Sequence, residues 1–145
     1  MQRTISLKYT MEILINHCFG GLGVSDECAN LYFERTGKNV DDLTHDELRC
    51  DPEVIKLFKE YGSKWCSASY SRLALCEIPL RLKNHYEIGE YDGMESVDFH
   101  PDSAIAECTR KYIGDPTPEN LTWLIEQISE IDDAMRLSYE LITTG

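Results

Sequence analysis

The chain has 145 residues, of which 26 are acidic and 14 basic, so its formal net charge is −12. This length suits a single folded domain, predicted over residues 1–145, and the acidic balance disfavours binding to nucleic acid or to an anionic membrane. No apolar run approaches the ~20 residues that span a bilayer, so we expect neither a nucleic-acid partner nor a membrane.

The first residues lack the apolar core of a secretory signal, so we expect a cytoplasmic protein whose six cysteines stay reduced. No Cys-x-x-Cys pair is present, and the histidines are far apart in sequence. We therefore predict no metal and no other cofactor.

The first predicted elements are a strand, a glycine-rich turn and a helix. Residues 10–16 place apolar side chains on one face, as a strand does. The turn follows, and Ser25 is a typical N-cap for a helix that ends at Gly37. Glycines at such a turn either bring the backbone close to a ligand or form a tight structural turn. Both uses remain open.

The middle of the chain predicts a second helix, a strand and a hairpin. An Asp-Pro pair starts the helix over about 51–62, after a short helical turn at 44–48. Residues 71–78 are apolar on both faces, which favours a central strand, and Asp-Gly between alternating runs predicts a hairpin over 85–99. Residues 101–116 carry no assignable pattern.

The last predicted element is a long helix over about 117–143. At ~1.5 Å per residue it would be roughly 40 Å long, so we expect part of its apolar stripe in a homo-oligomer interface. Packing along the chain's own sheet is the alternative. The stripe consists of Leu121, Leu124, Ile128, Ile131 and Met135.

Together these elements predict an α+β fold. It has a small mixed or antiparallel sheet with a hairpin, two shorter helices and one long C-terminal helix.

The glycine turn supplies the first candidate binding residues. Phe19 offers a flat apolar face to a base, and Gly20 and Gly21 expose the backbone beside it. Asp26 and Glu27 in the first turn of the helix would repel a phosphate placed there. Any phosphate is therefore expected to meet arginines from elsewhere in the chain or from a second subunit.

Four further residues are candidates, each with a structural alternative. Arg49 is a candidate for an anion, unless it is solvated or ion-paired. Asn84 could contact a base or ribose edge, although it and Asp92 also suit turns. Arg110 belongs to the adjacent basic pair in the unassigned segment and is a candidate anion contact. No nucleophile–base pair or carboxylate pair has diagnostic spacing, so we predict no catalytic residue and favour a binding protein.

Several motifs follow one another in order over about residues 11–98. They are Asn16-His17-Cys18-Phe19-Gly20-Gly21 with Ser25, Leu31-Tyr32, Arg49-Cys50-Asp51-Pro52, Leu75-Cys76-Glu77-Ile78-Pro79 and Tyr91-Asp92-Gly93-Met94-Glu95. With these motifs the chain resembles the Thoeris anti-defence 1 family. Members of this family are phage proteins that bind the glyco-cyclic ADP-ribose signal of bacterial TIR enzymes without cleaving it.

The resemblance implies a viral sponge for a small cyclic nucleotide-like ligand, acting in the host bacterial cytoplasm. It also implies a homodimer or higher homo-oligomer with pockets between subunits. Phe19, Arg49, Asn84 and Asp92 fall on or beside the shared motifs, whereas Arg110 is added from its charge. Two alternatives stay open: an enzyme acting on a nucleotide or ADP-ribose derivative, and a protein-interaction module that docks through its C-terminal helix.

Overall fold

The structure is a computed structural model that describes residues 9–141 and the backbone of residues 143 and 144. Within these residues the chain forms six helices and five strands. The helices are α1 (Asp26–Thr36), α2 (His45–Cys50), α3 (Pro52–Tyr61), α4 (Ser63–Cys66), α5 (Pro101–Gly114) and α6 (Pro118–Ser138). The strands are β1 (Thr10–Asn16), β2 (Leu73–Pro79), β3 (Tyr86–Tyr91), β4 (Met94–Phe99) and β5 (Thr143–Thr144).

The strands form two small sheets, and the predicted α+β fold is confirmed. The first sheet has the order β1–β2–β5, and the second is the β3–β4 hairpin. The His17 N–H donates to the Arg72 carbonyl at 2.9 Å, which joins the end of β1 to the start of β2 in antiparallel fashion. Asp92 and Gly93 form the hairpin turn with φ of 51° and 80°, as the Asp-Gly pair predicted.

The described residues divide into two compact units whose segments alternate along the chain. The helix-pair unit holds residues 78–88 and 97–141 together with residues 9–11. The turn unit holds residues 12–77, 89–96 and 143–144. The single domain over residues 1–145 stays a prediction.

The turn unit forms around helices whose ends follow the sequence signals. The Ser25 side chain caps α1 by accepting from the Cys28 N–H, and Gly37 ends that helix with φ of 73°. Asp51 caps α3, and Pro52 occupies its first turn. The core of this unit contains Leu14, Leu22, Cys28, Tyr32, Val40, Leu48, Val54, Leu57, Phe58, Cys66, Leu73 and Leu75.

The helix-pair unit consists mainly of α5 and α6. Helix α5 occupies most of the segment 101–116, which carried no assignable pattern, and it buries only Ala104 and Cys108. The core of this unit contains Leu82, Ala104, Cys108, Leu124, Ile131 and Ala134. None of the helices in the described residues is long and apolar enough to cross a membrane.

Helix α6 is shorter than predicted, and some residues of the predicted apolar stripe are buried while others are exposed. It ends at Ser138 instead of near residue 143. Thr143 and Thr144 form β5 and pair with β2. Residue 142 lies outside the described residues. Ile131 is buried, whereas the side chains of Leu121, Ile125 and Ile128 are exposed.

Asp51 links a helix cap to a buried tyrosine, which makes it a sensitive position. Its Oδ1 accepts from the N–H groups of Glu53 at 3.0 Å and Val54 at 3.1 Å, and its Oδ2 accepts from the Tyr32 hydroxyl at 2.9 Å. Asp51→Ala removes the cap and leaves a buried hydroxyl unpaired, so the free energy of unfolding should fall by about 2–3 kcal/mol.

Asn39→Ala provides the matched control in the same urea-unfolding measurement. Asn39 caps a 3-10 turn over Val40–Asp42 by accepting from the Asp41 N–H, with no buried hydroxyl involved. Its loss should cost about 1 kcal/mol or less. Equal losses in the two variants would show that the bond to Tyr32 contributes nothing.

Candidate functional site

The glycine turn between β1 and α1 lies against Tyr70. A Cβ atom at Gly20 would come within 2.2 Å of the Tyr70 carbonyl oxygen, and one at Gly23 within 2.2 Å of the Tyr70 hydroxyl. Gly21 has φ of 91° and open space around it. Gly20 and Gly23 therefore allow Tyr70 of the same chain to pack closely against the turn. This packing is a structural use of the glycines, one of the two uses that the sequence left open.

The same turn also contacts the tip of the hairpin. A Cβ atom at Gly93 would lie 2.8 Å from the Phe19 backbone nitrogen, so only glycine fits there without a shift. Phe19 itself is 79% exposed, and Asp92 next to Gly93 is also exposed. The structure thus brings the predicted residues Phe19, Gly20 and Asp92 to one region of the turn unit.

A buried ion pair anchors this region. Arg49 Nη1 and Nη2 each donate to one carboxylate oxygen of Glu95 at 2.8 Å, and Nη1 also donates to the Leu14 carbonyl at 3.0 Å. Arg49 is 5% exposed. The ion-paired alternative for Arg49 is therefore the one observed, and a direct ligand contact by Arg49 stays a prediction.

Asn16 connects the Arg49–Glu95 pair to the glycine turn and to β2. Its backbone N–H donates to Glu95 Oε1 at 2.6 Å, and its side-chain amide donates to the Cys18 carbonyl at 2.6 Å. Its side-chain oxygen accepts from the Arg72 N–H at 2.9 Å. Asn16 is 1% exposed, so its backbone N–H and its side-chain amide form hydrogen bonds with the protein in place of water.

The charge on Glu95 is stabilised by its partners. Burial alone would raise the pKa of Glu95, but the hydrogen bonds from Arg49 and from the Asn16 N–H outweigh it and hold that pKa below the ordinary value of 4.5. The carboxylate is therefore ionised, and the pair is a fixed structural element at neutral pH.

A cleft of ≈ 980 Å³, here called the aromatic cleft, opens beside the glycine turn. Tyr61 and Trp65 stack in its wall with ring centroids 4.3 Å apart and planes inclined by 30°. Tyr70 and Lys64 also line it. An exposed face on a stacked aromatic pair is a surface on which a planar base can lie.

The aromatic residues of this cleft were not among the predicted binding residues. The signal for them was present in the segment 61–72, which has aromatic, serine and basic residues and no clear period of strand or helix. Two predicted binding residues, Asn84 and Arg110, belong to the helix-pair unit, where both are exposed. Their binding roles stay predictions.

A serine, a histidine and a carboxylate meet in the helix-pair unit. His85 Nδ1 lies 2.8 Å from Ser103 Oγ, and His85 Nε2 lies 3.2 Å from a Glu107 oxygen. The Ser103 hydroxyl also donates to the His100 carbonyl at 2.9 Å, and the histidine tautomer decides which atom donates between Ser103 Oγ and His85 Nδ1. Among the described residues, no group of His, Cys, Asp and Glu could hold a metal ion.

No family model matches the chain, and neither the curated proteins nor the solved structures give a significant match.

Gly20→Ala should destabilise the protein because the new methyl group collides with the Tyr70 backbone, which cannot rotate away as a side-chain tip can. We expect the free energy of unfolding to fall by about 1–3 kcal/mol in urea titrations. Gly114→Ala is the control, since nothing lies within 4 Å of its Cβ position. A similar loss in both variants would contradict the close packing of Tyr70.

The Arg49–Glu95 pair predicts a pH-dependent stability. Because the pKa of Glu95 is lower in the folded state, its stabilisation is present above the ordinary value of 4.5 and is lost as pH falls through the folded value. Glu95→Gln should lower the free energy of unfolding by about 3 kcal/mol at pH 7, and the difference from wild type should shrink below pH 4.5.

Thermal and urea unfolding from pH 7 to pH 3 measure this difference. Glu34→Gln, which removes an exposed carboxylate from α1, controls for the loss of one surface charge. A Glu95→Gln deficit that stays constant as the pH falls would contradict the proposed role of the ionised carboxylate.

Proposed function

We propose that the protein binds and sequesters a cyclic ADP-ribose-type nucleotide signal without turning it over, and thereby blocks a bacterial Thoeris TIR defence. The observation that carries this proposal is the aromatic cleft beside the glycine turn, with the stacked Tyr61–Trp65 pair in its wall. The family resemblance in the sequence supplies the class of signal.

The stacked pair suits an adenine ring. Tyr61 is 48% exposed, whereas Trp65 is half-buried and packs against the core, so the outer part of the pair is accessible and the inner part is held in place. A base that stacks on such a platform gains about 1–3 kcal/mol. A fixed platform also loses little side-chain entropy on binding.

The charges around the aromatic cleft favour the nucleoside part of the ligand over its phosphates. Asp26 and Glu27 line the cleft at the start of α1. Their carboxylates repel phosphate but accept hydrogen bonds from ribose hydroxyls and from an adenine amino group. We therefore place the base and a ribose in this cleft, as the sequence argument against a phosphate at this helix start implies.

The homo-oligomer is part of the same proposal. Leu121, Ile125 and Ile128 expose apolar surface along α6, and a groove of ≈ 460 Å³ lies beside them. Apolar rows of this kind are typical of subunit interfaces. The alternative, a docking surface for another protein, uses the same row.

The second candidate function, an enzyme acting on a nucleotide derivative, would use the Ser103–His85–Glu107 group. A cleaved product that appears with wild-type protein and disappears with Ser103→Ala would favour this alternative.

The test mixes protein with cyclic ADP-ribose, removes the unbound ligand, and then analyses the supernatant by mass spectrometry after heat denaturation. We expect the intact ligand in an amount close to one per site. Tyr61→Leu should weaken binding about 10-fold or more, because it removes the exposed half of the stacking platform.

Phe33→Leu is the matched control, since Phe33 is an exposed aromatic residue on α1 that does not line the aromatic cleft. It should bind like wild type. Recovery of a cleaved product, or equal weakening by both substitutions, would contradict the proposal.

A further inference from the structure

A second cleft, of ≈ 1050 Å³, is lined partly by the same α4 segment as the aromatic cleft and is here called the basic cleft. Its lining includes Lys64, Arg72 and His17, and no carboxylate is among the described residues that line it. This is unusual in a chain with a net charge of −12. A cavity with cations and no acidic side chain has a local field that favours anions.

The basic side chains of this cleft lack carboxylate partners. Arg35, Arg49, Arg81 and Arg136 each pair with an acidic side chain. By contrast, within residues 9–141 neither Lys64 nor Arg72 forms an ion pair, and the Arg72 guanidinium has a sulfur contact with Met94 at 3.8 Å. Their charges are therefore available to a ligand.

The backbone that carries Arg72 is held firmly. Its N–H donates to the Asn16 side chain at 2.9 Å, and its carbonyl accepts from the His17 N–H at 2.9 Å. Asn16 is in turn bonded to Glu95. The buried network thus fixes the positions from which Arg72 and His17 reach the basic cleft, which lowers the entropy lost on binding.

Several hydroxyl groups of the cleft are already used by the fold. The Ser63 hydroxyl donates to the Leu73 carbonyl, Ser67 accepts from the Leu73 N–H at 2.9 Å, and Ser71 donates to the Gly23 carbonyl at 2.7 Å. These bonds shape the cleft wall. Ser69 is exposed at its edge and lines both clefts.

We propose that the basic cleft binds the pyrophosphate of the nucleotide whose base occupies the aromatic cleft. The two clefts share Lys64 and Tyr61, so one ligand can extend from one into the other. Arg72 is suited to a bidentate contact with phosphate oxygens, and Lys64 adds a charge at the junction. This inference deepens the proposed function and rests on it for the identity of the ligand.

The experiment measures binding of three probes by calorimetry: cyclic ADP-ribose, adenosine and inorganic pyrophosphate. Arg72→Ala and Lys64→Ala should each weaken the binding of cyclic ADP-ribose about 10- to 100-fold. Arg72→Ala, which lies outside the lining of the aromatic cleft, should leave adenosine binding within about twofold of wild type. Pyrophosphate should bind to the wild type but not to the Arg72→Ala variant.

Two substitutions serve as controls for general charge and folding. Lys56→Ala removes an exposed cation from α3 outside the lining of both clefts, and Arg72→Lys keeps the charge while removing the planar guanidinium. Lys56→Ala should bind every probe like wild type, and Arg72→Lys should recover part of the lost affinity. Circular dichroism melting verifies that each variant is folded.

The outcomes separate the two proposals. If both alanine variants bind cyclic ADP-ribose like wild type, the basic cleft is not its phosphate site, and the aromatic cleft proposal stands. If wild type binds pyrophosphate but neither adenosine nor cyclic ADP-ribose, the anion site stands and the proposed function fails. Failure of all three probes to bind overturns both.

Discussion

The turn unit depends on the Arg49–Glu95 ion pair. It joins the end of α2 to the hairpin, two segments 46 residues apart in sequence, and Arg49 also bonds the Leu14 carbonyl in β1. Both partners are largely buried, with side-chain exposures of 6% and 12%. Removing one of two buried charges leaves the other without compensation, which typically costs about 3–5 kcal/mol. Because Asn16 bonds Glu95 as well, the pair also determines where the glycine turn begins.

The residues of the sequence motifs and the residues that line the clefts have different structural roles. The motif residues Asn16, Arg49 and Glu95 are turned inward and hold three chain segments together. The segment 61–72 next to them carries the stacked aromatic pair and two cations, Lys64 and Arg72, that form no ion pair within residues 9–141. The motif residues hold the fold around the clefts and line little of them directly. The glycines let the turn pack closely against Tyr70, and the proposed ligand would contact the neighbouring segment.

Local signals predicted much of the fold, whereas long-range pairing could not be read from one sequence. Helix caps at Ser25 and Asp51 and the Asp92-Gly93 turn depend on residues within a few positions, and each was found where the pattern placed it. Helix α5 was missed because it buries only small residues, so its apolar period is weak. The pairing of Arg49 with Glu95 was also missed, since nothing local to either residue identifies a partner so distant in the chain. The clefts were missed for another reason: their aromatic and basic residues lie in the segment 61–72, which has no clear period of strand or helix.

The acidic composition of the chain limits where an anionic group of a ligand could bind. At a net charge of −12 the chain repels most anions, so a small anion needs a cavity free of carboxylates. The basic cleft meets that condition, while the neighbouring aromatic cleft includes Asp26 and Glu27 and suits the uncharged end of a ligand. The two clefts share Tyr61 and Lys64, so the acidic and the basic lining adjoin each other. This polarity is the reason why the proposed ligand has a base and ribose at one end and a pyrophosphate further along, as an ADP-ribose derivative does.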